Sequence, residues 1–278
     1  MTRPNFIVIG AMRAGTTALF EYLRAHPDVY VPDLKELNFF WERWDKGITW
    51  YEAQFAAATH ERAIGELSPE YTMYPNRPGV AERIAKLLPD VRLIYLMRDP
   101  IARMRSNYIW RLAAGSEHRP ISEAFLSDPT YVWMSSYALQ IHEYLRYFDR
   151  TRLKLVLSED LRNRRAETLG EIYDFLGVDA SVKPANIERE YNEPRPMKPR
   201  PAFRMIGGAM IRARVVLGKE FVPSPIPERY RALVTMPISA SETTIPDDLR
   251  QAMTDAVRSD VARLAELMPP EFEGWGLV

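Results

Sequence analysis

Along the chain, apolar residues fall into short continuous runs separated by longer stretches in which they recur every three or four positions. Residues 5 to 9, Asn-Phe-Ile-Val-Ile, form one such run, stopped by Gly10; this is the pattern of a strand buried on both faces of a parallel sheet. From Thr16 to Ala25, Leu19, Tyr22 and Leu23 recur at helical spacing, and His26-Pro27 ends the stretch. A second strand, loop and helix begins at Val91–Met97. There Asp99 is placed to cap a helix, and Pro100 to occupy its first turn, where a missing N–H costs nothing; the helix runs to about Ala114. Arg62–Leu67 and Leu153–Leu157 read as two further strands, and residues 76–88, 131–148 and 166–176 as helices. Alternation of this kind predicts an α/β fold with a mostly parallel sheet flanked by helices.

The pattern changes near Gly177. Residues 178–201 read as loop, and the stretch EPRPMKPRP within them carries four prolines in nine positions, too many for a regular helix or a central strand. A last helix over about 246–267 places Val257, Val261, Leu264 and Leu267 on one side, for packing on the core. The expected organisation is a single domain over 1–278. Residues 1–177 form its α/β core, and 178–278 add a basic loop or lid and C-terminal helices.

Composition narrows the function classes. The chain has 278 residues, 46% of them hydrophobic, enough for one substantial core. Lys+Arg and Asp+Glu both number 37, so no global field gathers nucleic acid or an anionic membrane, and any anion is held locally. There are no cysteines, which removes disulfides, thiolate metal sites and a cysteine nucleophile. The four histidines, His26, His60, His118 and His142, are scattered without metal-ligand spacing, so no metal is expected. Met1-Thr2-Arg3-Pro4 leads almost directly into the first strand, without the regions of a signal peptide. No apolar run approaches the roughly 18 residues of a membrane span. A cytoplasmic protein is expected. The local charge excess lies between Arg195 and Arg231, where nine Lys/Arg face two Glu. That stretch reads either as a solvated surface segment or as a cationic flap over an anionic ligand.

Three segments carry candidate chemistry. Gly10-Ala-Met-Arg-Ala-Gly15-Thr16-Thr17 fits the phosphate-loop pattern G-x-x-x-x-G-K-[ST] except at the lysine, where Thr16 stands. A glycine loop between a buried strand and a helix start directs backbone N–H groups and the helix dipole at an anion. Here the cation is Arg13, inside the loop. A glycine-rich turn also occurs as a purely structural feature. The second segment pairs Arg98, at a strand end, with Ser106, two helical turns on; together they suit a second phosphate at the same sheet edge. The bland alternatives are a salt bridge from Arg98 to Asp99 and an idle helical serine. In the third segment, LKELNFFWERWDKGITWY, Glu36 precedes Phe39, Phe40, Trp41, Trp44, Trp50 and Tyr51. Aromatic walls can desolvate a carboxylate into a general base, and they can equally be an ordinary core with a surface glutamate.

In order and spacing, GAMRAGTTAL, KELNFFWERWDKGITWY, GELSPEY, RDPIARMRSNY and SSYALQIHEYLRYF resemble the sulfotransferases that use 3′-phosphoadenosine-5′-phosphosulfate (PAPS), nearest the glycosaminoglycan enzymes and their bacterial relatives. The resemblance covers essentially the whole chain. It implies that the loop residues Arg13, Ala14, Gly15, Thr16 and Thr17 hold the 5′-phosphosulfate, with Arg13 beside the bridging oxygen. It implies that Arg98 and Ser106 grip the 3′-phosphate and that Glu36 takes the proton of the acceptor hydroxyl. The acceptor is then a carbohydrate, glycolipid or small natural product. The basic loop with Arg195, Lys198 and Arg200 corresponds to the segment that closes over the donor.

The chain departs from those enzymes at three positions. Arg13 replaces a lysine and keeps the charge, but a guanidinium stays protonated and so stabilises rather than protonates the leaving phosphate. Asn38 stands at a frequent histidine position, which rests proton transfer more fully on Glu36. Leu67 stands at a lysine position. Two other readings remain open from the residues alone. One is a phosphate-loop nucleotide kinase or phosphotransferase, disfavoured by Thr16 and by the lack of an evident magnesium-binding pair. The other is a non-catalytic adaptor that lays residues 202–218, AFRMIGGAMIRARVVLG, on a lipid surface.

Overall fold

A computed structural model describes residues 2–191, 197–200 and 234–278. The expected strands appear as β1 (Phe6–Gly10), β3 (Ala63–Leu67), β4 (Arg92–Met97) and β5 (Leu153–Leu157). Joined by the two-residue β2 (Val29–Tyr30), they form one sheet in the order β2-β3-β1-β4-β5, and every pairing in it is parallel. All five residues of β1 are buried, as its unbroken apolar run requires of the central strand. The fold is therefore α/β, with a mostly parallel sheet flanked by helices.

The helices before β5 begin with α1 (Thr16–Arg24), α2 (Gly47–Ala53), α3 (Val80–Leu87) and α4 (Pro100–Ala114). Asp99 caps α4 as its sequence predicts: Oδ1 accepts from Ile101 N–H at 2.7 Å and Ala102 N–H at 3.1 Å. The short helices α5 (Ile121–Ser127) and α6 (Thr130–Trp133) follow, then α7 (Tyr137–Leu145), with α8 (Ser158–Asn163) and α9 (Arg165–Leu176) after β5. The single helix expected over 131–148 is thus divided at Met134–Ser136. The cause is tertiary. Ser135 Oγ accepts from buried Arg103 Nε at 2.5 Å, and the new start of α7 is capped by Asp260, which accepts from Ala138 N–H and Leu139 N–H, both at 2.9 Å.

Beyond Gly177, the region expected as loop contains one short strand, β6 (Met197–Pro199), antiparallel to β7 (Thr235–Pro237). A two-stranded ribbon tolerates Pro199 because few of its N–H groups must pair. The helices α10 (Ala240–Thr243) and α11 (Asp247–Ala265) complete the described chain. Val257, Val261 and Leu264 of α11 are wholly buried, as expected, and Leu267 lies just past its end, packed against the core. Val257 and Val261 share a cluster with Ile101 and Met104 of α4, whereas Leu264 joins the main core under the sheet. Arg195 and residues 202–218 lie outside the described residues. No helix among the described residues is long and apolar enough to cross a membrane.

Packing within the sheet is tight at Gly65, paired with Phe6. A Cβ there would lie 2.5 Å from both the Phe6 ring and the Phe6 carbonyl oxygen. Gly65→Ala is expected to destabilise the protein by about 1–3 kcal/mol through overpacking, seen as a lower urea midpoint; an unchanged midpoint would contradict this packing.

Candidate active site

The loop after β1 turns sharply under the C-terminal ends of β1 and β4. Gly10 has no room for a side chain, since a Cβ would fall 2.0 Å from Thr72 Oγ1 and 2.7 Å from the Tyr95 ring. Gly15 has φ +100° and precedes α1, a conformation that costs glycine little. No side chain caps α1, and the first N–H groups of a helix have no partner within it. Gly15, Thr16 and Thr17 line a cleft of about 590 Å³ together with Arg13. That combination of amides, dipole and guanidinium suits an anion, and the volume falls within the range of small-molecule sites.

Two arginines of the β4–α4 unit hold this loop by its carbonyls. Arg98 Nη1 donates to Arg13 O at 3.4 Å. Arg103, wholly buried, donates to Met12 O at 3.5 Å, to Ser135 Oγ and to Tyr131 O at 2.8 Å. Among the described residues no carboxylate pairs with Arg103, and its burial pushes the guanidinium down to about 10. It is still cationic at neutral pH. Burial also lowers Arg98, with Arg162 nearby adding to the effect. Arg13 is left-handed, with φ 73°, and its Nε donates to Ser106 Oγ at 3.1 Å. Arg13, Arg98 and Ser106 therefore meet at one cleft, although they stand up to 93 positions apart.

Glu36 lines the same cleft. Its side chain is 38% exposed and lies 3.8 Å from Lys35 Nζ; Lys35 in turn donates to Thr17 Oγ1 at 2.6 Å. The aromatic segment does not wall in Glu36. Phe39 stacks on Tyr51, with ring centroids 4.4 Å apart, and together with Phe40 they form core behind the cleft. The carboxylate desolvated there is Glu66 of β3, only 1% exposed. Burial pushes it up to about 7, against the opposing effects of hydrogen bonds from Ser68, Tyr51 and Tyr71 and of the Arg43 charge.

The other described sequence candidates lie elsewhere. Lys198 forms an ion pair with Glu242 in a separate hollow of about 330 Å³. Arg200 donates to Thr235 O at 3.1 Å beside the β6–β7 ribbon. Neither lines the cleft that contains Arg13. Ala14 is buried beneath the loop and serves as its packing rather than as a lining residue. Conversely Trp110, Glu70 and Arg162 line the cleft without having been singled out. Trp110 follows Ser106 by one helical turn, a spacing that marks the same face of α4.

Folding raises the Glu66 carboxyl above its ordinary 4.5, so folding favours its protonated form. That contribution is complete below the unfolded value and is lost as pH rises through about 7. Wild-type stability is expected to fall across this window more steeply than that of Glu66→Gln, as measured by urea unfolding at a series of pH values. Equal slopes would contradict the assignment.

Comparison with known proteins places the chain in a family. The family model described as Sulfotransferase domain matches residues 3–207. Heparan sulfate glucosamine 3-O-sulfotransferase 3B1 of Homo sapiens is 31% identical over 184 residues, covering 63% of this chain and 46% of that protein. Heparan sulfate glucosamine 3-O-sulfotransferase 6 of Mus musculus is 30% identical over 191 residues, covering 64% and 54%. The chain thus spans about half the length of these relatives. A solved sulfotransferase from Alicyclobacillus acidocaldarius superposes with a TM-score of 0.70 at 24% identity, covering 99% of this chain and 100% of that one. The family match runs from before β1 to beyond α9 and takes in every strand of the central sheet; the chain belongs to the Sulfotransferase domain family.

Proposed function

We propose that the protein transfers a sulfuryl group from PAPS to a hydroxyl of a carbohydrate, glycolipid or small natural product. The observation that carries this reading is that the glycine loop, Arg13, Arg98, Ser106 and Glu36 all border one cleft at the C-terminal edge of the sheet. The heparan sulfate relatives support a sugar hydroxyl as acceptor. The donor supplies the activated sulfuryl group and the phosphate that leaves.

Each residue then has a definite task. The first-turn amides of α1 and the Arg13 guanidinium bind the 5′-phosphosulfate and stabilise the charge that grows on the bridging oxygen. Arg98 and Ser106 bind the 3′-phosphate. Glu36 accepts the acceptor proton at a carboxylate oxygen while the acceptor oxygen bonds to sulfur. The bond from sulfur to the phosphate oxygen breaks with its electron pair on that oxygen. Positioning and preorganised charge carry such a transfer.

Calorimetric titration with 3′-phosphoadenosine-5′-phosphate, set against ATP with magnesium, tests the donor class. Arg98→Ala is expected to weaken bisphosphate binding about 10-fold to 100-fold, the worth of a hydrogen bond to a charged group. Preference for ATP with magnesium would replace this reading with a phosphotransferase. For the chemical step, Glu36→Gln is expected to lower kcat by about 100-fold to 1,000-fold while leaving bisphosphate affinity intact, measured by transfer of radiolabelled sulfate from PAPS to heparan sulfate fragments or simple glycosides. Full activity of that variant would remove Glu36 from the mechanism.

A further inference from the structure

Glu66 lies behind the segment that carries Glu36, and no step of the proposed transfer uses it. Three hydroxyls hold its two oxygens. Oε2 accepts from Ser68 Oγ at 2.6 Å, and Oε1 accepts from Tyr51 Oη at 2.8 Å and Tyr71 Oη at 3.1 Å. Two of these hydroxyls also accept a backbone N–H from the Glu36 segment: Asn38 N–H donates to Ser68 Oγ at 3.0 Å, and Phe40 N–H to Tyr71 Oη at 3.3 Å. The carboxylate therefore anchors two parallel relays that end two and four residues after Glu36.

The direction of each bond matters. A hydroxyl has one proton, and giving it to Glu66 turns the oxygen's lone pairs toward the amide. The segment needs such holding because Glu36 and Asn38 have φ 61° and 48°, a left-handed backbone that non-glycine residues keep only when their surroundings impose it. From the other side, Arg43 Nη1 donates to Glu36 O at 3.3 Å and to Leu37 O. Amides and carbonyls of the turn are thus held separately. Packing alone does not call for a carboxylate here, since a buried charged cluster is commonly replaceable by apolar side chains without loss of stability.

We propose that Glu66 is a positioning residue: through Ser68 and Tyr71 it fixes the turn that presents Glu36 to the acceptor hydroxyl. The proposal rests on Glu36 being the base of the proposed transfer. It predicts that the relays act on rate through Glu36 and leave donor binding alone.

The test uses Ser68→Ala and Tyr71→Phe, each of which cuts one relay, alone and combined with Glu36→Gln. Hydrogen–deuterium exchange reads the turn. Exchange at Asn38 in the first variant and at Phe40 in the second is expected to quicken by at least about ten-fold, with β1 and α1 unchanged. Sulfate release from PAPS with water as acceptor reads the chemistry. Each single variant is expected to lose about 10-fold to 100-fold in kcat, the cost of slight misplacement, with KM for PAPS unchanged. In the Glu36→Gln background neither is expected to cost anything further, because a residue acting through Glu36 has nothing left to position. Unchanged exchange, a rise in KM in place of the fall in kcat, or an undiminished loss in the Glu36→Gln background would overturn the proposal. A wild-type protein that neither binds the bisphosphate nor releases sulfate would overturn the transfer reading itself, a result distinct from an active protein whose variants fail to couple.

Discussion

The structure depends on one tight turn, the loop that joins β1 to α1. To direct backbone N–H groups at a single point it passes so close to Thr72 and Tyr95 that Gly10 admits no Cβ. It then reverses through left-handed backbone at Arg13 and Gly15. Such a turn does not hold itself, and the β4–α4 unit holds it: Arg98 and Arg103 donate to the carbonyls of Arg13 and Met12. Burying Arg103 among neutral acceptors is costly, which shows in the lowering of its guanidinium. That cost is offset by a rigid loop with a buried positive charge beneath it, an arrangement that favours an anion above.

The two carboxylates near the cleft divide in the opposite way. Glu36 sits at the rim of the cleft, more than a third exposed to solvent. Glu66 sits in the core, its two oxygens occupied by Ser68, Tyr51 and Tyr71. The aromatic segment packs on itself, Phe39 against Phe40 and Tyr51. The buried hydroxyls of Tyr51 and Tyr71 need acceptors, and Glu66 supplies one. The loop with its arginines and the Glu36 turn thus face one cleft, and in the proposed transfer that arrangement would supply preorganised charge.

Much of this was legible along the chain. Four of the five strands of the sheet follow from short, largely apolar runs, only that of β1 being unbroken, and the Asp99-Pro100 start of α4 from two residues of known preference. The glycine loop, Arg98, Ser106 and Glu36 stand out by type and spacing, and all border one cleft. The two-residue β2 was not legible, because two residues show no period. Nor was the division of the 131–148 helix, since helical periodicity continues across Ser135 while Arg103 and Asp260 break the backbone pattern there. Lys198, which the resemblance places in the loop that closes over the donor, pairs with Glu242, 44 positions away.

The sequence by itself determined which segments are strand or helix, where the turns require glycine, and which side chains have the chemistry to hold anions and move a proton. These are local properties, set by neighbours within a turn or two. Only the tertiary structure decided which carboxylate is buried and which is exposed, which arginine reaches the loop, and what caps α7. The Asn38–Ser68 contact spans 30 positions and the Ala138–Asp260 contact 122. Partners that distant are brought together by the packing of the sheet and its helices, and residue type alone does not say who they are.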